Sequence, residues 1–297
     1  MIKRVIDISG PSYLYIEHNQ LCVDREKKTV ARVSIEDLGV LILDHPAIVI
    51  TQSVIRACQQ NNTVVLFCDE RHLPISITLP LWEGHSLHTK VLREQLSTTA
   101  PARKRMWQQV VKEKISQQIS TLEKTGCNTE GLKRLLRKVK TGDIENCEAQ
   151  AARQYWPLLM GTSFRRNPNE KGVNSLLNYG YSIVRAMVAR AIVGTGLHPA
   201  IGLHHKNQYN GLCLADDVME PFRAWVDWKV FELQKDNVEP VISKDTKQVF
   251  LAMLSQDVLF EKRRMPLMVA VHSMAARLKE AHTDKSVSLV YPKRLGF

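Results

Sequence analysis

GVNSLLNYGYSIVRAMVARAIVG, residues 172–194, sets the class of this chain. Its apolar residues Leu177, Tyr181, Val184 and Val188 recur at helical spacing. Gly194 and Gly196 close the pattern, as glycine does just past a helix end. The stretch is predicted to be a long helix. Working outward, DDVMEPFRAWVDWKVFELQK (216–235) and MPLMVAVHSMAARLKEAH (265–282) read as helices after it. Before it come RKRMWQQVVKEKISQQISTLEK (103–124), TEGLKRLLRKVK (129–140) and IENCEAQAARQYWPLLM (144–160), the last expected to end near Pro157. Further upstream the periodicity changes. KRVIDIS, SYLYIEH, QLCVD, TVARVS and LGVLILD are short runs rich in β-branched or aromatic residues, punctuated by Gly10-Pro11, His18-Asn19 and REKK. SVIRACQQNN reads as one short helix, and TVVLFCD as a buried strand. Residues 76–90, with Pro80 and Gly84, lose periodicity and read as a linker. The expected fold class is therefore α+β. A small N-terminal β domain with one short helix (1–75) precedes a larger all-α-helical domain (91–297).

The 297 residues, 44% of them hydrophobic, can build two cores. Six cysteines form no CxxC pair, which speaks against a zinc ribbon or a thioredoxin-like motif; they are expected to be buried thiols. No apolar h-region follows the early charges, and no run approaches a membrane span, so a cytoplasmic protein without membrane partners is expected. The net charge of +11 is uneven. Residues 1–75 hold eight Lys/Arg against nine Asp/Glu, whereas residues 101–140 hold eleven Lys/Arg against three Glu. Such asymmetry fits a polyanionic partner, and equally a solvated basic helix face.

The chemistry-bearing residues gather in LHHKNQYNGLCLADDVMEPFR, residues 203–223. Asp217 can serve as a helix N-cap, with Glu220 three residues on completing a capping-box-like pattern and Pro221 at the end of the first turn. Both acids could also face one point in space, since residues three apart on a helix are neighbours. His204 and His205 are adjacent, so on a regular element they point apart. Upstream, Glu148 shares its helix face with Ala152, Tyr155 and Leu159. A carboxylate on such a face needs a partner: a salt bridge to an arginine, or a bound cation. Carboxylates together with an imidazole suit Mg²⁺ or Mn²⁺ better than zinc or calcium. Within a basic domain, the natural chemistry is metal-assisted attack on a phosphodiester.

These stretches together resemble the CRISPR-associated integrase family, whose members insert new DNA into a CRISPR array. EAQAARQYW, FRR at Phe164–Arg166, VNSLLNYGYSIVRA, GLHPAIGLHH and LADDVMEPFRAWVD follow the family's motifs in its order. Ala149 departs from the glycine many members carry after the glutamate, and RRNPNEKGVN is shorter than the usual loop. The resemblance implies Glu148, His205 and Glu220 as metal ligands and catalytic residues, with Asp217 in support. It implies DNA contacts from Arg165, Arg166, Tyr181 and Arg223. It implies transesterification by the 3′-hydroxyls of a short prespacer duplex on a CRISPR repeat. It also implies a homodimer formed through the β domains, a small ferredoxin-like adaptation subunit and further adaptation or effector partners. The style is closest to members from type II-like systems with a single large effector nuclease. A structure-specific endonuclease using water as nucleophile, or a non-enzymatic DNA-binding scaffold with Glu148 salt-bridged and Asp217 and Glu220 capping, would use the same residues differently.

Overall fold

The structure is a computed structural model that describes residues 3–80 and 85–297. Strand β1 (Arg4–Ile8) is followed by the meander β2 (Ser12–Glu17), β3 (Gln20–Arg25) and β4 (Lys28–Ser34). Both turns of the meander are two residues long with positive φ throughout: His18 and Asn19 at 48° and 58°, Glu26 and Lys27 at 49° and 63°. Turns of that hand match the right-handed twist of the strands they join. Then come β5 (Leu38–Leu43), β6 (Ile48–Ile50), helix α1 (Gln52–Gln60), β7 (Val64–Cys68) and β8 (Pro74–Thr78). One sheet has the order β1-β5-β7-β8, its first three strands parallel; the second has the order β4-β3-β2-β6.

LGVLIL in β5 is buried at every position because both faces of its sheet are covered. Leu38, Leu41 and Leu43 pack with Leu14, Leu21, Val54, Cys58 and Val65 in the core between the two sheets and α1. The alternate residues Val40 and Ile42 enter the much larger core formed by the helices, as do Val64 and Leu66 of β7. The first sheet therefore belongs to both cores. Two polar contacts tighten this seam. Arg190 donates from Nε to the Asn62 carbonyl at 2.6 Å, and buried Lys247 pairs with buried Asp44.

The helical part comprises α2 (His88–Ser97), α3 (Ala100–Lys124), α4 (Glu130–Lys138), α5 (Cys147–Met160), α6 (Val173–Gly194), α7 (Cys213–Lys235), α8 (Lys244–Ser255) and α9 (Leu267–Ala281). α6 is the hub, buried along almost its whole length and packed against α7, α8, α9 and the first sheet. The α+β expectation holds, with four corrections. The helical part is not all-α: β9 (Asp257–Phe260), β10 (Arg263–Pro266) and β11 (Lys293–Arg294) form a small antiparallel sheet. DVLF alternates exposed and buried positions, a strand signal too short to stand out beside the helices around it. The linker reading of 76–90 loses its first three residues to β8 and its last three to α2, while residues 81–84 lie outside those described. α5 runs past Pro157 to Met160, because proline loses only one ladder bond near a helix end. Cys68 and Cys127 are only half-buried. Among the described residues no helix is long and apolar enough to cross a membrane.

Candidate active site

α3 carries Trp107 and, two turns later, Lys114, both buried. A buried ammonium needs anions. Lys114 Nζ donates to Glu148 Oε1 at 2.6 Å and to Glu220 Oε2 at 2.5 Å. Two carboxylates from helices far apart in sequence thus close on one cation. Glu148 occupies the second position of α5. That helix start is fixed by Asp143, whose carboxylate accepts the backbone N–H groups of Cys147 (2.9 Å) and Glu148 (3.0 Å). Glu220 lies inside α7, nearly sealed from water, and its second oxygen accepts Arg223 Nε at 2.7 Å. Burial pushes its carboxyl up, but Arg223 and Lys114 outweigh burial and hold it down at about 2.

Asp217 is not a helix cap. α7 starts a full turn earlier, at Cys213, so Asp217 is its fifth residue and wholly buried. Its carboxylate faces backward into the loop before the helix. Oδ2 accepts the N–H groups of Leu203 (2.6 Å) and His204 (2.9 Å), and Oδ1 those of His205 (3.2 Å) and of its ring Nδ1 (2.5 Å). Four donors satisfy this buried anion. They also hold the Leu203–His205 backbone and take Nδ1 of His205, leaving Nε2 as the ring nitrogen with a lone pair to offer. The Asp217 bond raises the His205 pKa against the effect of burial, with Asp217, Glu220 and Glu148 adding to the rise by charge. Gly202 is required here: a Cβ would lie 2.5 Å from the His205 carbonyl and 2.8 Å from Asp217 Oδ2. Gln95 anchors the same loop from α2, donating to the carbonyls of His198 and Ile201 and accepting from the N–H of His198.

The two histidines part company. His204 stacks on the Trp107 ring, with centroids 4.4 Å apart and planes within 6°, while His205 meets that ring edge-on at 6.0 Å. Half of the His205 side chain and a quarter of that of Glu148 are exposed, so the cluster opens to solvent on their side. Among the described residues no three His, Cys, Asp or Glu side chains meet as a finished metal cage. The donor chemistry nevertheless fits a hard divalent cation. Two carboxylates already share one cation, and the charge of both reaches the His205 imidazole.

Of the residues expected to touch DNA, Arg165 is exposed and bonds the nearby Thr162 and Phe164 carbonyls. Arg166 is half-buried and held by Asn174 Oδ1 (2.9 Å) and Asn178 Oδ1 (2.6 Å). Tyr181 is buried and donates its hydroxyl to Asp227; its ring supports the guanidinium of Arg223 at 4.6 Å and that of Arg166 at 5.4 Å. It is placed to position arginines rather than to reach a ligand. An open cavity of about 400 Å³ beside α5 is lined by Arg153, Trp156, Phe164, Arg165 and Arg166. Sequence reasoning missed Lys114, Trp107, Asp143 and Gln95. For Lys114 a signal existed: it falls four residues after Val110 and seven after Trp107, on the apolar face of a helix read as basic.

Residues 8–257 match the family model described as CRISPR associated protein Cas1. The CRISPR-associated endonuclease Cas1 of Neisseria meningitidis serogroup C is 32% identical over 289 residues, covering 96% of this chain and 94% of that protein. Among solved structures, a casposase bound to integration product superposes with a TM-score of 0.78 at 18% identity, covering 97% of this chain and 93% of that one. A Cas6-RT-Cas1–Cas2 complex gives 0.77 at 18% identity, covering 97% of this chain and 36% of the longer one. The fold is shared with these structures, and by the family model and the Neisseria relative the chain belongs to the CRISPR-associated Cas1 family.

Proposed function

We propose that this protein is a divalent-metal-dependent DNA integrase that joins the 3′-hydroxyl ends of a short DNA duplex to a CRISPR repeat. The observation that carries the reading is the convergence of Glu148, Glu220 and the Asp217-held His205 around α3, in a chain of this family. Glu148, Glu220 and His205 Nε2 would hold Mg²⁺ or Mn²⁺. The ion would polarise a phosphate oxygen and offset charge developing on the phosphorane. The chain's own groups do the rest. Asp217 fixes the His205 tautomer and orientation. Tyr181 and Asp227 brace Arg223, whose cation lies beside Glu220. The groove of Arg153, Trp156, Phe164 and Arg165 can take a strand through phosphate contacts and base stacking. In the joining step the attacking 3′-oxygen forms the new P–O bond, the repeat's own P–O3′ bond breaks, and the proton ends on the released 3′-hydroxyl. One phosphodiester replaces another, so no high-energy cofactor is consumed.

DNA is the substrate in this reading, as the casposase relative's integration product supports. A second copy meeting through the β-rich part and a small ferredoxin-like subunit would complete the assembly; the shared fold with a Cas6-RT-Cas1–Cas2 complex supports a protein partner. The test uses a supercoiled plasmid carrying a repeat, the small partner and a labelled duplex with free 3′-hydroxyls. Label should join the plasmid with Mn²⁺ and not with chelator. His205→Ala should lower joining by about a hundredfold or more. Nicking without joining would replace the integrase by a nuclease. Binding with no covalent change would leave a scaffold.

A further inference from the structure

We propose that Lys114 is the internal counter-cation of the Glu148–Glu220 pair, and that a divalent cation enters the site by displacing its ammonium group, so that Lys114 sets how tightly the protein holds metal. The inference rests on the metal reading above. It starts from the two oxygens of Glu220, both of which are engaged: Oε1 with Arg223 and Oε2 with Lys114. An incoming cation that uses this carboxylate meets one of those two side chains.

They differ in how easily they can yield. The Arg223 guanidinium lies over the Tyr181 ring, 4.6 Å from its centroid, and that ring is anchored by its hydroxyl on Asp227. A planar guanidinium held between a carboxylate and a ring face is committed to its geometry. Lys114 reaches the carboxylates on an unbranched stem from α3, and its ammonium has three donors and no fixed direction. Charge points the same way. Lys114 and Arg223 bring the two glutamates to formal neutrality, and a neutral pair attracts a dication weakly. Once the ammonium withdraws, the same carboxylates carry a net negative charge, and affinity for a hard cation rises with ligand charge. Lys114 occupies the ground between Glu148 and Glu220 that a shared metal would take.

The test compares the purified wild-type chain with Lys114→Met, which keeps an unbranched stem and removes the charge. Mn²⁺ binding is measured by calorimetry. The variant should bind Mn²⁺ about tenfold more tightly, or better, and Mn²⁺ should raise its melting temperature more than that of the wild type. Unchanged or weaker binding would overturn the proposal, since a merely structural lysine leaves metal affinity alone or harms it. A second measurement needs no variant. Acetylation of wild-type Lys114 by an amine-reactive ester, read by mass spectrometry, should increase when Mn²⁺ is added. Equal protection with and without Mn²⁺ would exclude displacement. If neither protein binds Mn²⁺, the metal reading itself fails and this inference goes with it; binding by the wild type with no gain in Lys114→Met sinks the lysine proposal alone.

Discussion

Among the described residues two lysines are buried, Lys114 and Lys247, and their surroundings differ in kind. Lys247 of α8 meets Asp44 at the end of β5, a carboxylate that also takes His72 Nδ1 at 2.9 Å. The ammonium bonds one carboxylate, each almost fully sealed, while Asp7 acts on it by charge from farther off. Lys114 faces two carboxylates, and one of them reaches water. Burial pulls the Lys114 amine down, yet Glu220 and Glu148 raise it above the ordinary lysine value. A pair sealed on both sides holds two regions together. A shared ammonium at an open site can exchange partners.

Breaking that comparison begins with its sealed half, where the largest effect on stability is expected. Lys247→Met leaves the Asp44 carboxylate buried without its lysine, which should cost about 3–5 kcal/mol. Denaturant unfolding should show this loss, while Mn²⁺ affinity stays within about twofold of wild type, because the seam lies apart from the α3 cluster. Adding Asp44→Asn should restore much of the stability, since the sealed Asp44 position then carries no charge. A loss below about 1 kcal/mol, or a changed Mn²⁺ affinity, would erase the distinction between the two lysines.

The next effect sharpens the site half through pH. Asp227 follows Glu220 by two turns of α7, and the two carboxyls are driven in opposite directions. Burial pushes Asp227 up to about 6, against the hydrogen bond from Tyr181 and the charge of Arg223; Tyr155, Arg166, Arg294 and Lys114 also face it. Glu220 is held down at about 2. The signs follow from linkage. Asp227 binds its proton more tightly folded than unfolded. Its contribution is fully present below the unfolded value near 4 and is lost as pH rises through about 6, a change of about 3 kcal/mol. Glu220 works the other way, stabilising above about 4.5 and losing that contribution as pH falls toward 2. Between pH 4 and 7, Asp227→Asn should flatten the stability profile relative to wild type. A variant whose unfolding curves track wild type across that range would show that Asp227 titrates normally.

How much of this could be read from the sequence depends on the distance between the groups involved. α6 was legible because its signal is periodic and local: Leu177, Tyr181, Val184 and Val188 fall on its packed face. So was the location of Glu148 near the start of a helix. Asp217 was placed wrongly for a definite reason. Asp-x-x-Glu before an apolar run is a start signal only if the helix starts there, and CLAD extends α7 one turn upstream, turning a cap into an interior acid. Its donors lie 12 to 14 residues back in the Leu203–His205 loop, which no local pattern predicts. Glu148 was expected to pair with an arginine, if with any base, and pairs with a lysine 34 residues earlier. Lys114 itself disappeared into the basic composition of residues 101–140. Charge counts do not distinguish an exposed lysine such as Lys112 from a buried one two positions later.

The smallest expected effect concerns the acid the sequence misplaced. Neither lysine touches Asp217 among the bonds of the cluster; its partners are three backbone amides and one imidazole. Asp217→Asn keeps the volume and removes one acceptor oxygen, setting an N–H₂ group against N–H donors. The loop should loosen, costing about 1–3 kcal/mol. His205 should also lose the acceptor that keeps its proton on Nδ1, and Mn²⁺ affinity should fall about 10–100-fold. Stability and affinity must therefore move together here, unlike in Lys247→Met, where only stability moves, and opposite to Lys114→Met, where affinity rises. Nitrogen-15 shifts of the His205 ring, with His204 as the internal reference, report the tautomer directly. If Asp217→Asn leaves His205 protonated on Nδ1 and Mn²⁺ affinity intact, then Asp217 serves the loop alone, and the imidazole is oriented by the Trp107 edge instead.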